Sequence, residues 1–272
     1  MTGTALKLIA LVAGGYLGLV GLIALTQTSL LFPRWAVAPA PPLPAEAETL
    51  RLARPGGVEL HGLRLPARDG ASGPPVLGFG GNAWNAADMA LFLHRHLPGH
   101  DVIAFHFRGY APSAGRPSAA AFAEDALAIH DHLATQGLPP PVVVGFSIGT
   151  GPAAALAAER RTAGAILITP FESLTELARS HYPWAPVRLL LRHRMEPAAD
   201  LARAAVPIAI IAAERDSIVP PARTEALRQA LADARPGVVF DRTVPAGHND
   251  LYGHPDFGPA LRDAMDSLHA TR

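Results

Sequence analysis

The stretch Val142-Val143-Val144-Gly145-Phe146-Ser147-Ile148-Gly149-Thr150-Gly151 decides how this chain is read. Three consecutive β-branched residues open it, as in a buried strand. A glycine, a serine and another glycine follow, and then an alanine-rich run at 152–160 with the composition of a helix. The pattern is Gly-x-Ser-x-Gly between strand and helix. Such a turn is tight, and glycines on either side of the serine have no Cβ to clash. It presents the Ser147 hydroxyl above a sheet, at a helix N-terminus whose free N–H groups can hold an anion. With 25 glycines in 272 residues, chance alone supplies roughly 0.1 such match. The strand and helix flanking it give the motif its weight.

Outward from this turn, short apolar runs alternate with helical ones. Strands are expected at 75–80, 101–107, 163–169, 208–213 and 238–244. Helices are expected at 89–97, 118–136, 152–161, 223–234 and 259–269. Alternation of this kind predicts one α/β domain, a mostly parallel sheet flanked by helices on both faces. Residues 49–53 and 58–65 instead alternate apolar residues with Arg, Glu and His, which predicts two half-exposed antiparallel strands at the sheet edge. The alternation breaks at about 171–205, where 171–181 and 187–194 read as short helices of a lid.

Residues 8–25 carry no charge, and 18 apolar residues just suffice to span a bilayer as a helix. Lys7 precedes this run; Arg34 and Trp35 follow it, with the Trp where an interfacial anchor would sit. A cleaved signal peptide is the alternative. Its apolar run would be shorter, however, and Pro39 would follow the Ala36-Val37-Ala38 cleavage site. An internal helix of the domain is the third option. The preferred organisation is a membrane anchor at 1–32, a Pro-rich linker at 33–46 and the catalytic domain at 47–272. Lys7 and the α-amino group weigh slightly toward an inside N-terminus and an extracytoplasmic domain. The linker reads either as a polyproline II spacer or as an extended loop packed on the domain.

Charges balance at 23 basic and 23 acidic residues, which gives no electrostatic case for nucleic acid. No cysteine is present, so a thiol nucleophile and thiolate metal sites are excluded. Among the twelve histidines, His94 and His96, and likewise His130 and His132, stand two apart; on a helix these rings do not share a side. No His-Glu-x-x-His occurs, and no metal or cofactor is expected.

A serine hydroxyl needs a base to take its proton. In a doubly wound sheet the base and its orienting acid come from loops after later strands. Asp216 follows the 208–213 strand, with Glu214 as its rival; His248 follows the 238–244 strand, with Asp250 as a weaker alternative acid. The order Ser…Asp…His is the one such folds use. Two backbone donors are needed for the oxyanion. Ile148 N–H, after the nucleophile, is one. Asn82 N–H, in the glycine-bearing loop Gly80-Gly81-Asn82-Ala83, is the other. Tyr182, Trp184 and Leu190 in the lid are candidates to line an acyl pocket, and Arg188, Arg192 and Arg194 could meet lipid headgroups.

Together these residues resemble the α/β-hydrolase fold family, and more specifically its membrane-anchored α/β-hydrolase-domain branch, related to the serine aminopeptidase-like hydrolases. The resemblance spans nearly the whole chain. It rests on the N-terminal helix with Leu30-Leu31-Phe32-Pro33, on Gly81-Asn82-Ala83, and on Phe107-Arg108-Gly109-Tyr110 with Ser113 and Gly115. It rests further on the Ser147 motif, Asp216 with Val219-Pro220, and Gly247-His248-Asn249-Asp250. It implies that Ser147, Asp216 and His248 are nucleophile, acid and base, and it favours Asp216 over Glu214. Arg108-Gly109-Tyr110 would buttress the site. One departure is Gly80, where the family usually has histidine. The expected activity is hydrolysis of carboxylic esters, with apolar or lipid acyl groups preferred. An acyl-thioesterase or an aminopeptidase would use the same triad, and a non-catalytic binding protein on this fold is the different-class alternative.

Overall fold

In the computed structural model β5 (Val142–Phe146) lies inside the sheet with all five residues buried. The structure describes residues 2–68, 70 and 73–271; Met1, Asp69, Ala71, Ser72 and Arg272, which fall in the expected 1–32 and 47–272 segments, lie outside the described residues. In chain order the elements are α1 (Thr2–Leu31), β1 (Glu48–Arg54), β2 (Val58–Leu65), β3 (Val76–Phe79), α2 (Ala86–His96), β4 (Val102–Phe105) and α3 (Ala119–Thr135). After β5 come α4 (Thr150–Glu159), β6 (Gly164–Ile168), α5 (Leu174–His181), α6 (Val187–Leu190) and α7 (Pro197–Arg203). The chain closes with β7 (Ile208–Ala213), α8 (Pro221–Ala230), β8 (Val238–Val244) and α9 (Phe257–Ala270).

Among the described residues the strands form one sheet in the order β1-β2-β4-β3-β5-β6-β7-β8. From β4 to β8 neighbours run parallel; β1 and β2 are antiparallel at one edge, as their alternating pattern predicts. Side chains alternate across β5. Val142, Val144 and Phe146 join α2 and α9 in one core, and Val143 joins α3, α4 and α8 in the other. A strand covered on both faces has to be apolar at every position, which is why β5 reads as an unbroken apolar run. Strand β3 has β4 on one side and β5 on the other, so the order reverses beside it. Ligand crevices open at such a switch point, outside the carboxyl ends of the strands.

Several boundaries shift from expectation for local reasons. Helix α4 begins at Thr150 rather than 152, after a turn of 3-10 helix at Ser147–Gly149; Pro152 falls in its first turn, where a missing N–H costs little. Helix α2 begins at Ala86, because Asn85 caps it by accepting from Ala87 N–H. In the insert, α6 is a single turn ending at Leu190, and α7 was not expected as a helix. Leu201 of α7 is fully buried in the core beside α4, so α7 covers the sheet rather than the cleft.

Helix α1 is 30 residues long and apolar enough to cross a membrane by length and composition. Its final turns do not hang free. Gln27 Nε2 donates to Leu190 C=O and its Oε1 accepts from Arg192 N–H, while Phe32 is buried against Phe122 and His193. The proline-rich segment after it returns along the domain, where Asn85 Nδ2 donates to Ala38 C=O.

Candidate active site

Ser147 sits directly at the end of β5 with φ +50°. A non-glycine residue rarely adopts that region, and the surrounding packing holds it there. A Cβ on Gly149 would stand 2.2 Å from Phe79 C=O, and one on Gly145 would stand 2.7 Å from Gly149 C=O. Both motif glycines are therefore demanded by close approach: Gly149 to the end of β3, Gly145 to the turn leading into α4. Thr150 Oγ1 donates to Ser147 C=O at 2.7 Å and ties the turn down.

Asp216 lies in the loop after β7 and is 5% exposed. Its Oδ1 accepts from Ile218 N–H (2.9 Å) and Val219 N–H (2.7 Å), which fixes the carboxylate plane. Its Oδ2 meets His248 Nδ1 at 2.6 Å. That bond assigns the Nδ1 proton and leaves Nε2 as the nitrogen available to act as base. The rivals are elsewhere: Glu214 is exposed beside Arg215, and Asp250 is exposed on the far side of Gly247.

Ser147 and His248 line the same cleft, together with Asn82, Trp84, Ile218 and Tyr252. Among the described residues no direct bond joins Ser147 Oγ to the imidazole; such bonds are commonly loose before substrate binds and tighten in the complex. The loop before α2 turns sharply, with Trp84 N–H donating to Gly81 C=O and Ala83 at φ +58°. A Cβ at Gly81 would lie 4.0 Å from Ser147 Cβ, so this loop flanks the serine. The Asn82 side chain is spanned at both ends: its Nδ2 donates to Leu31 C=O at 2.8 Å, and its Oδ1 accepts from Tyr110 O–H at 3.2 Å. Ile148, on the serine's other side, is buried at the helix start, where backbone N–H groups lack intrahelical partners.

The Arg108 block stands behind this loop. Arg108 Nε donates to buried Asp125 at 2.9 Å, and Arg54 Nε donates to the same carboxylate at 3.0 Å. Tyr110 packs on Phe122 and reaches forward to Asn82.

Two cleft residues were not singled out in the sequence. Trp84, Phe146 and Tyr252 form a three-ring wall with centroids 5.1–5.8 Å apart. Burial pushes the Tyr252 phenol up to about 12, against the opposing effect of its hydrogen bond with Thr169. Tyr252 follows His248 by four positions on a helical turn, and that spacing was the available signal. The expected acyl-pocket residues lie outside the Ser147 cleft itself. Tyr182 and Leu190 border a separate groove against α1, and Trp184 packs edge-on to Tyr16; none of the three lines the Ser147 cleft. The lid helix α5 ends at His181, which turns the following segment toward α1 rather than over the serine.

A profile described as the alpha/beta hydrolase fold matches residues 76–192, the stretch from β3 through the serine turn to the insert. The chain belongs to the α/β-hydrolase fold family. An uncharacterised protein of Mycobacterium tuberculosis is 34% identical, over 98% of this chain and 94% of that protein. The lysophosphatidylserine lipase ABHD12 of Xenopus tropicalis is 29% identical over 71% of this chain, which spans 57% of that relative. The Pyrococcus furiosus esterase Pf2001 superposes with a TM-score of 0.63 at 15% identity, over 85% of this hydrolase-fold chain and 97% of the esterase, a likeness of fold.

Proposed function

We propose that this α/β-hydrolase cleaves carboxylic esters with apolar, lipid-type acyl groups, using Ser147, His248 and Asp216. The observation that carries the reading is the buried Asp216–His248 pair opening onto the cleft that also holds a serine at positive φ. His248 Nε2 takes the Ser147 proton as Oγ bonds to the ester carbonyl carbon. The charge developing on the carbonyl oxygen is met by Asn82 and Ile148 N–H groups. The carbon–oxygen bond to the alcohol breaks, and the imidazolium returns its proton to the departing alkoxide. Water, deprotonated by His248, then attacks the acyl-enzyme and releases the acid and Ser147. The cycle calls for no cofactor.

Helix α1 anchors the protein in a membrane, with the catalytic domain on the outer side. Leu8, Leu11, Leu17 and Leu25 are each more than 60% exposed, and a leucine left in water forgoes about 1.5–3 kcal/mol of burial. The vertebrate relative is a lysophosphatidylserine lipase, which agrees with a lipid acyl ester as substrate. The test is labelling of the full chain by a fluorophosphonate, with turnover of p-nitrophenyl esters, thioesters and aminoacyl amides read in parallel. Wild type is expected to label and to prefer esters. Ser147→Ala is expected to do neither while unfolding at an unchanged temperature; ester turnover retained in that variant overturns the assignment.

A further inference from the structure

The groove that receives Tyr182 and Leu190 is walled on one side by α1 itself. Val20, Ile23 and Leu30 of the helix face Tyr182, Pro186 and Leu190 of the α5–α6 segment across a groove that is open to the outside. Two side chains in its lining carry polar atoms, the Tyr182 phenol and the Gln27 amide, and Gln27 is already committed. Its amide donates to Ala24 and Leu190 carbonyls, and its oxygen accepts from Arg192 N–H. A groove lined almost wholly by apolar side chains, with no charge among them, selects a hydrocarbon chain over a polar metabolite.

The other faces of the same helix say where such a chain would come from. Leu19, Leu22 and Leu25 point outward beside the groove, 48–78% exposed, and on the facing segment Leu189 is 84% exposed. A helix apolar all round meets hydrocarbon on every side when it spans a bilayer. The groove opens along that helix, at the depth of residues 20–31. Arg192 follows the lining residue Leu191 and donates to Ala24 C=O, while Arg188, after Val187, donates to Glu176; long basic side chains at such a position reach toward a headgroup layer. The inner end is close to the serine. Leu31, in the groove wall, accepts from Asn82, and His181, beside Tyr182, meets Ile218 C=O at 2.8 Å; Asn82 and Ile218 both line the Ser147 cleft.

We propose that this groove holds the acyl chain of a membrane lipid ester, received sideways from the bilayer, while the ester carbonyl passes Asn82 and Ile218 to reach Ser147. This deepens, and rests on, the ester-hydrolase reading. The anchor is then one wall of the substrate site.

The test uses the full chain in phosphatidylcholine vesicles, with Ala178→Trp and Ala24→Trp filling the groove from its two walls. The ratio of kcat/KM for p-nitrophenyl palmitate to that for the acetate is expected to fall at least about tenfold in each, since every methylene seated in an apolar pocket adds discrimination of that order. Fluorophosphonate labelling of both variants verifies that they fold. A second readout needs no turnover: a diazirine-bearing palmitate in the vesicles is expected to crosslink residues 185–191 of Ser147→Ala, and to lose those adducts when Ala178→Trp is added. An unchanged ratio, or adducts indifferent to the tryptophan, overturns the proposal. If Ser147 fails to react with the fluorophosphonate, the hydrolase reading falls, and the crosslinking still decides whether the groove binds acyl chains.

Discussion

The side-chain amide of Asn82 reaches the carbonyl of Leu31 at 2.8 Å, so the loop flanking the serine is fastened to the last residue of α1. Tyr110 holds the other end of the same side chain. Asn82→Ala keeps the backbone N–H and removes both struts. Misplacing a catalytic group by about 1 Å can cost around a hundredfold in rate, so kcat is expected to fall by about ten- to a hundredfold. Tyr110→Phe, which cuts one strut, is expected to fall less. Steady-state kinetics and the fluorophosphonate labelling rate check this; a wild-type rate in Asn82→Ala would mean that the loop holds its own shape.

Asp216 gives one carboxylate oxygen to two backbone N–H groups and the other to His248. Asp216→Asn can keep the first oxygen in place but puts an amide N–H against Nδ1. The imidazole must then carry its proton on Nε2, which cannot accept from serine. A loss of kcat of about 10⁴-fold is expected, as for the equivalent change in other triads. Retention of more than a tenth of the activity would point to a different base.

Gly149 and Gly80 stand near each other in space but have opposite tolerances. A Cβ at Gly149 would press backbone at 2.2 Å, whereas one at Gly80 would find its nearest neighbours at 3.8 Å. Gly149→Ala is expected to destabilise by about 3 kcal/mol or more, the upper end of overpacking costs, because carbonyls of β3 cannot move aside. Gly80→Ala is expected to stay within about 0.5 kcal/mol of wild type. Urea unfolding of the pair measures the contrast, and equal midpoints would refute it.

His106 is 8% exposed, and burial, with a smaller push from His61, lowers its pKa to about 4. The unfolded chain takes up this proton near pH 6.5, and the folded one only near pH 4. Between those values the unfolded state binds more protons, so stability is full above about pH 6.5 and declines as the pH falls toward 4. This one group accounts for a loss of about 2 kcal/mol between pH 7 and pH 5. His96 and His193, lowered mainly by burial, act in the same direction. Urea titrations at the two pH values should show a smaller difference in His106→Gln. An unaltered difference would assign the acid sensitivity to other groups.

What was legible followed from periodicity. Ser147, Asp216 and His248 each stand just past an apolar run, and parallel strands deliver such positions to one edge of the sheet. The choice of Asp216 over Glu214 is physical in the end: two nearby backbone N–H groups hold Asp216 inward, while Glu214 faces solvent. Composition marks Tyr182, Trp184 and Leu190 as apolar lining but does not say which way a cap segment folds; here Tyr182 and Leu190 line a groove against α1 and Trp184 packs on Tyr16. The docking face of α1 was hidden by its uniform apolarity. Tyr16 and Gln27 are two of its few polar side chains, three turns apart on one side, and both reach the cap backbone. A helix needing only to sit in lipid has no use for two hydrogen-bonding side chains in register.

Tyr16, Val20, Ala24, Gln27 and Leu31 make one stripe along α1, and its lower end grips the domain. Each residue of an α-helix advances the azimuth by about 100°. Inserting or deleting a single residue upstream of Gln27 would leave the grip intact but spin the remaining span about its axis, carrying Tyr16 away from Trp184. With α1 anchored as proposed, the rotational phase of the span, and not only its length, would set how the Ser147 cleft is aimed relative to the lipid plane.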